Sequence, residues 1–475
     1  MLSPAGSHAS LLPATGLPLT AFEEFMLADD RPSHPMVIVM RLDFTDGPPP
    51  SSLAEAFSAT ISEEPLLAAH VVRSRGRSRW MPAPSPPLFQ AEDGSASADS
   101  TTLAPPLPRI DPKIGPMLHA SVVTRQTGWS IVVAVHHAAC DGLGIVGFME
   151  RWLLRATGKE ARRPRGSAEA VTALGRRGRV AGSWREFSSM LPKLAKGLEG
   201  VKQFVSRDVV DLGHARPTAP ETVEPAPLTL WQPTIIAMTL EESLVERLER
   251  RAMATEVMVN DMLMAALMTT LGEHVDGRAV PADEKAWIRL ATPMSLRTKS
   301  DHALPAANRV SMVFLDRQPG DRLDAPQLVR SFKDEMDVIR GHSLGHIFPL
   351  SLAASRLMPG GLKRTTNSPT PQATAVLSNL GRCFHRSPLT DDAGTIRVGD
   401  SRLAGWWIVP PVRPGTALAA ATHETSGRRT VAFHLDGSRV PLPVGRGWLD
   451  GMYATLEALA EGLRVPSRNA EPMVS

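Results

Sequence analysis

Apolar and polar positions along this chain predict an α/β order that restarts midway. Ile131-Val132-Val133-Ala134-Val135 is apolar on both faces and mostly β-branched, the signature of a buried strand. Met117–Val123 and Trp129–Val135 form a predicted hairpin around the turn Gln126-Thr127-Gly128. Upstream, Leu17–Leu27 reads as a short helix and Met36–Phe44 as a strand. Leu53, Ala56, Phe57 and Ile61 at helical spacing predict a helix over Leu53–Glu64. Pro84–Pro87 and Ala104–Pro108 are extended loops. The second half predicts a strand at Thr234–Leu240, a helix at Ser243–Met253 and an apolar helix at Val259–Leu271, with Asn260 and Asp261 able to cap its start. Strands follow at Trp287–Thr292, Val310–Leu315, Gln372–Leu377 and Thr430–Leu435, and Trp448–Leu463 closes the chain as a helix. The α/β style recurs, but no short internal repeat does.

A chain of 475 residues exceeds one ordinary core, so two domains are expected. The boundaries drawn are 1–212, a Pro-rich linker 213–232 carrying Pro217, Pro220, Pro225 and Pro227, and 233–475. The residues before Leu17 read as a loose tail. The formal charge of +3 and the single tyrosine, Tyr453, argue against a nucleic-acid partner. Cys140 and Cys383 are too few for a disulfide framework or a zinc site, which predicts a reduced, cytoplasmic setting. The opening Met1–Gly6 lacks a charged start and apolar core, so no signal peptide is expected, and no stretch reads as a transmembrane helix. The segment 162–207 is rich in Arg and Lys, with Trp184, Phe187, Leu191 and Leu194 at roughly helical spacing. It is read first as an amphipathic helix packed between lobes. Peripheral contact with a membrane or lipid is the second reading.

The chemistry concentrates in Val135-His136-His137-Ala138-Ala139-Cys140-Asp141-Gly142. Successive side chains of a strand point to opposite faces, so His136 and His137 diverge. One can enter a cavity while the other stays packed. That geometry suits a single base better than a metal chelate.

The pattern His-His-x-x-x-Asp-Gly resembles the active-site signature of the CoA-dependent acyltransferase superfamily, which includes chloramphenicol acetyltransferase, condensation domains and wax ester synthases. The resemblance implies an α/β fold of two chloramphenicol acetyltransferase-like lobes, each a mixed sheet with packed helices, with an active-site tunnel at their interface. It implies His137 as general base, a role that a neutral imidazole of pKa about 6.5 suits near neutral pH. His136 is then structural. Asp141 has two readings: a helix cap, or, as the resemblance implies, a structural ion pair with an arginine. Arg297, in Pro293-Met294-Ser295-Leu296-Arg297, is the candidate partner, with Arg289 and Arg309 as alternatives. Gly142 is expected to leave an open channel for the acyl donor, a role compatible with a turn of positive φ. Val376-Leu377-Ser378-Asn379-Leu380-Gly381 resembles a Ser-Asn-Leu-Gly stretch of condensation-like enzymes. Ser378 or Asn379 is thus a candidate oxyanion donor or acceptor contact, unless Asn379 and Gly381 simply form a turn. Asn260-Asp261 resembles a wax ester synthase segment, although capping alone explains it. The Asp-Phe-Gly-Trp-Gly motif of the superfamily's plant acyl-CoA transferases is absent, which argues against plant-type substrates.

The expected activity is transfer of an acyl group from a CoA or carrier-protein thioester to a hydroxyl or amine of a small molecule. Acyl-CoA or acyl-pantetheine is co-substrate, an acyl carrier protein is a candidate partner, and no metal or tightly bound cofactor is required. Three alternatives stand beside it: a free-standing condensation-type enzyme using carrier-protein thioesters, a catalytically silent binding protein of the same fold, and a serine hydrolase. The last rests on Gly341-His342-Ser343-Leu344-Gly345, which fits a nucleophile-elbow pattern. Leu328, Phe332, Met336 and Ile339 precede it at helical spacing, whereas an elbow needs a strand there, so Ser343 is read as a helix-end turn. Trp406-Trp407 reads either as the wall of an apolar channel or as the core of a strand.

Overall fold

The computed structural model describes residues 12–74, 77–93, 104–160, 167–179, 198–213, 230–276, 286–318, 324–367 and 371–462. Two six-stranded mixed sheets dominate it. In the first, the strand order is Arg397–Val398, Ser401–Val409, Val37–Thr45, Gly128–His136, Leu118–Arg125 and Leu88–Asp93. In the second, it is Thr234–Leu240, Arg428–Leu435, Leu418–Thr425, Ala375–Arg382, Ile288–Ser295 and Val310–Arg317.

Gly128–His136 lies inside the first sheet, antiparallel to both neighbours, and is buried from Trp129 onward. A strand covered on both faces needs apolar side chains on both, which is why its sequence runs without alternation. Helices Leu53–Ile61 and Gly142–Ala156 pack on this sheet, and Phe57, Phe148 and Trp152 interlock between them. The second lobe's core is formed by helices Glu242–Ala254, Val259–Asp276, Ala325–Gly341 and Leu442–Glu461 with the outer face of their sheet.

Three sequence expectations change. Leu17–Leu27 is not one helix: Leu17–Pro18 pairs as a strand with Arg79–Trp80, and the helix starts at Ala21 behind a Thr20–Glu23 capping box. Residues 233–475 do not all belong to the second lobe. Ser401–Val409 crosses over and pairs antiparallel with Val37–Thr45, so the second half of the chain lends a strand to the first sheet. Its apolar run looked like any core strand, and nothing local in the sequence says which sheet it joins. Short strands at Ala69–Ser74, Arg77–Pro82 and Leu88–Asp93 also form where the sequence pattern was weak.

The Pro-rich stretch falls almost wholly on 214–229, outside the described residues, as do 162–166 and 180–197 of the basic segment. Its described parts are held in the fold. Arg177 is buried in an ion pair with Glu23 at 2.7 Å, and Arg207 pairs with Asp316 while stacking on Trp287. Among the described residues, no helix is long and apolar enough to cross a membrane.

Candidate active site

The histidine strand ends at His136, whose N–H donates to the Met117 carbonyl, and His137 opens the following turn by donating its N–H to the Met36 carbonyl. The two rings then diverge. His136 is fully buried; its Nδ1 accepts from the Ala138 N–H at 3.2 Å, and its Nε2 faces Asp30 Oδ1 at 3.7 Å. His137 is half-buried, with Nδ1 3.1 Å from the Cys140 carbonyl oxygen. A carbonyl only accepts, so this contact places the His137 proton on Nδ1 and leaves the Nε2 lone pair free to take one. The Phe22 ring meets His137 edge-on at 6.0 Å and in turn abuts Phe348 from the second lobe. Burial lowers the His137 pKa below 6.5, partly offset by the hydrogen bond to Cys140 and the charge of Asp141, so the ring is neutral at pH 7.

Asp141 fills both roles that the sequence left open. Its Oδ1 accepts from the Gly144 N–H at 2.9 Å and caps helix Gly142–Ala156. Its Oδ2 accepts from Arg297 Nη1 at 2.7 Å and from the Arg309 N–H at 2.8 Å. Burial alone would raise this carboxyl. The Arg297 guanidinium and the two amides hold it below the usual carboxylate range. Of the three candidate arginines, Arg297 alone brings its side chain here. Arg289 forms a buried pair with Asp316, and the Arg309 guanidinium reaches the carbonyls of Arg177 and Arg179.

Two further residues tie the lobes together around the motif, and sequence reasoning gave neither a role there. Asn308 donates from Nδ2 to the carbonyls of His137 at 2.9 Å and Ala138 at 2.8 Å. Glu64, fully buried, pairs with Arg151 at 2.6 Å and accepts from the Ala306 N–H at 2.6 Å. The turn carrying His137 is thus held by a second-lobe loop through the Asn308 side chain and the Arg309 N–H, while Ala306 bonds Glu64. The only sequence cue for Asn308 is a polar side chain among small residues before a strand.

The facing strand of the second lobe, Ala375–Arg382, separates the two oxyanion candidates by its pleat. Ala375 and Leu377 belong to the helix-side core, whereas Val376 belongs to a cluster on the opposite face. Asn379 shares the helix side: its Nδ2 donates to Asn260 Oδ1 at 2.9 Å, and its Oδ1 accepts from the Gly381 N–H at 2.9 Å. Ser378 shares the face of Val376 and is half-buried. Asn260 thus turns its side-chain oxygen to Asn379, while Asp261 reaches back to the Met258 N–H at 2.9 Å, half of a capping box.

Gly142 departs from expectation on two counts. Its φ is not positive, since it starts a helix. The space beside it is not open either: a Cβ there would lie 3.0 Å from Leu380 Cδ2. Trp406 and Trp407 are buried, and Trp406 stacks on His423 at 3.4 Å, so they are core of the crossover strand rather than a channel wall. Ser343 follows helix Ala325–Gly341 in a left-handed turn with φ 55°. The strand–serine–helix context of a nucleophile elbow is therefore missing.

No family model and no curated protein sequence matches the chain. Solved structures do. A point mutant of the starter condensation domain of rhizomide synthetase RzmA, in complex with C8-CoA, superposes with a TM-score of 0.64 at 13% identity, covering 96% of this chain and 97% of that one. The first condensation domain of the CDA synthetase gives 0.66 at 14%, covering 96% and 98%. SgcC5 from Streptomyces globisporus, in complex with a naphthyl ethanediol and sucrose, gives 0.62 at 16%, covering 94% and 99%. At these identities the likeness speaks for the fold, and it runs over nearly the whole length of each chain. The protein has the two-lobed, chloramphenicol acetyltransferase-like fold of the condensation domains.

Proposed function

We propose that this protein transfers an acyl group from a CoA or carrier-protein thioester to a hydroxyl or amine, with His137 as general base in a tunnel between the lobes. The observation that carries the reading is the His137 Nδ1 contact with the Cys140 carbonyl, which leaves Nε2 unprotonated on a half-buried ring at the lobe interface. The similar condensation domain that holds C8-CoA supports a thioester donor, and the diol held by SgcC5 supports a hydroxyl acceptor.

In this mechanism the acceptor oxygen or nitrogen attacks the thioester carbonyl as Nε2 takes its proton. The carbon–sulfur bond then breaks, and the imidazolium returns the proton to the leaving thiolate. Asp141 does not touch substrate. It fixes the loop that aims His137 and balances Arg297. Ser378, on the face of its strand turned away from the helices, is the assigned hydrogen-bond donor to the developing oxyanion, because the Asn379 amide is already engaged by Asn260.

Free-thiol release from an acyl-CoA panel with candidate alcohols and amines tests the reading, repeated with acyl carrier protein as donor. His137→Ala is expected to slow release by roughly 100-fold to 10,000-fold. Equal release by both proteins overturns the mechanism. Serine-hydrolase chemistry predicts the reverse pattern, loss in Ser343→Ala with His137→Ala spared.

A further inference from the structure

Gly142 begins helix Gly142–Ala156 with ordinary backbone angles, so what its position requires is room. A Cβ built there would meet Leu380 Cδ2 at 3.0 Å and Ile408 Cδ1 at 3.9 Å. Leu380 belongs to the second sheet, yet it packs against the first-lobe core.

An irregularity brings it there. Ala375–Arg382 runs in parallel register with Leu418–Thr425 as far as Asn379 opposite Thr422, then resumes with Arg382 opposite Glu424. One strand advances three residues while the other advances two, which is a bulge. Gly381 takes the left-handed conformation within it, φ 70°, which glycine adopts without penalty. The Asn379 side chain locks the bulge by accepting from the Gly381 N–H and donating to Asn260. Just past the bulge, Arg382 and Cys383 line a cavity of about 400 Å³, walled on its far side by Glu242, Glu246 and Glu249 of one helix. Leu380 thus lies two residues before the cavity-lining Arg382 and packs against the start of the helix that follows His137.

We infer that Leu380 is a specificity-determining gate: its side chain fills the space beside Gly142, and its size limits how bulky an acyl thioester can approach His137. Asn379, Gly381 and Asn260 are its positioning residues. The inference rests on the acyl-transfer reading above and adds the residue that selects the donor. Straight-chain donors pass with a rotamer change of Leu380, whereas branched or aryl groups collide with its methyls. The Leu380→Ala change removes those methyls.

The test uses the full chain and two readouts. Dissociation constants by calorimetry and thiol-release kinetics are measured for butyryl-, octanoyl-, isovaleryl- and benzoyl-CoA with wild type, Leu380→Ala, Leu380→Phe, Gly142→Ala and Gly142→Ala/Leu380→Ala. The gate predicts that Leu380→Ala improves affinity and kcat/KM for isovaleryl- and benzoyl-CoA at least tenfold relative to butyryl-CoA, and that Leu380→Phe shifts the ratio the other way. Gly142→Ala should weaken all four donors, and the double variant should recover them. A bulk ratio unchanged by either Leu380 substitution, or a Gly142→Ala loss that Leu380→Ala does not relieve, overturns the gate. If the binding ratio shifts while His137→Ala retains full turnover, the gate stands and the base assignment falls.

Discussion

Two strands meet at the lobe interface, and they are built in opposite ways. Gly128–His136 pairs without a register shift on both edges, and it ends by handing His136 and His137 to different surroundings. Ala375–Arg382 is parallel to both its neighbours and breaks register just where it faces the first lobe. The regular strand delivers an imidazole whose geometry is fixed by backbone partners. The irregular one presents Ser378 ahead of its register break, still paired opposite Ala421, and Leu380 within a bulge held by one asparagine pair. A regular ladder fixes where the imidazole sits, and the bulge re-aims the side chain that packs against the other lobe.

The contrast sharpens or breaks at four places. Asp141→Ala removes a helix cap, the charge facing Arg297 and the acceptor of the Arg309 amide at once. It should cost about 3 kcal/mol in urea unfolding. A loss below about 1 kcal/mol would mean that Asp141 does not anchor the histidine turn.

In the next two strands of the same sheet, burial depresses His423 to about 3 and His434 to about 4. The unfolded chain binds these protons below pH 6.5, whereas the native chain does not until its lower values are reached. Stability is therefore full above pH 6.5 and falls as the pH drops toward 4 and then 3, by up to about 1.4 kcal/mol per pH unit for each ring. Urea midpoints across this window should fall less steeply in His423→Gln. An identical slope would show that His423 is protonated in the native state.

Asn308→Ala strips two hydrogen bonds from the carbonyls of His137 and Ala138. The expected cost is about 1 kcal/mol of stability, with a loss in kcat exceeding any change in KM, because the base is displaced while the binding surfaces remain. A change in KM alone contradicts a positioning role. Smallest is Asn379→Ala, under about 1 kcal/mol, which releases Asn260 and the Gly381 amide. Its informative readout is a donor-bulk profile that moves toward that of Leu380→Ala.

The same contrast governs what the sequence made legible. The histidine turn could be read because its chemistry is local: an apolar run, two imidazoles, an acid that caps the next helix. The Arg297 partner came from family resemblance, since nothing in a separation of 156 residues announces contact with Asp141. Asn308 escaped notice because it bonds backbone groups, which every residue carries, and Glu64 because its partners Arg151 and Ala306 lie far off in sequence. The crossover of Ser401–Val409 and the bulge at Leu380–Gly381 escaped for a related reason. Strand partnership and register are set by tertiary packing, and the local pattern of Ser-Asn-Leu-Gly fits a plain turn equally well.

The central claim, that His137 acts as a neutral base, is tested most directly by the pH dependence of kcat/KM for acyl transfer. Protonated imidazole accepts nothing, so activity should fall as pH drops through an apparent pKa below 6.5, where burial places the His137 ring. The residual activity of His137→Ala should lack that limb. An acid limb at or above 6.5, or one that survives in His137→Ala, contradicts the account.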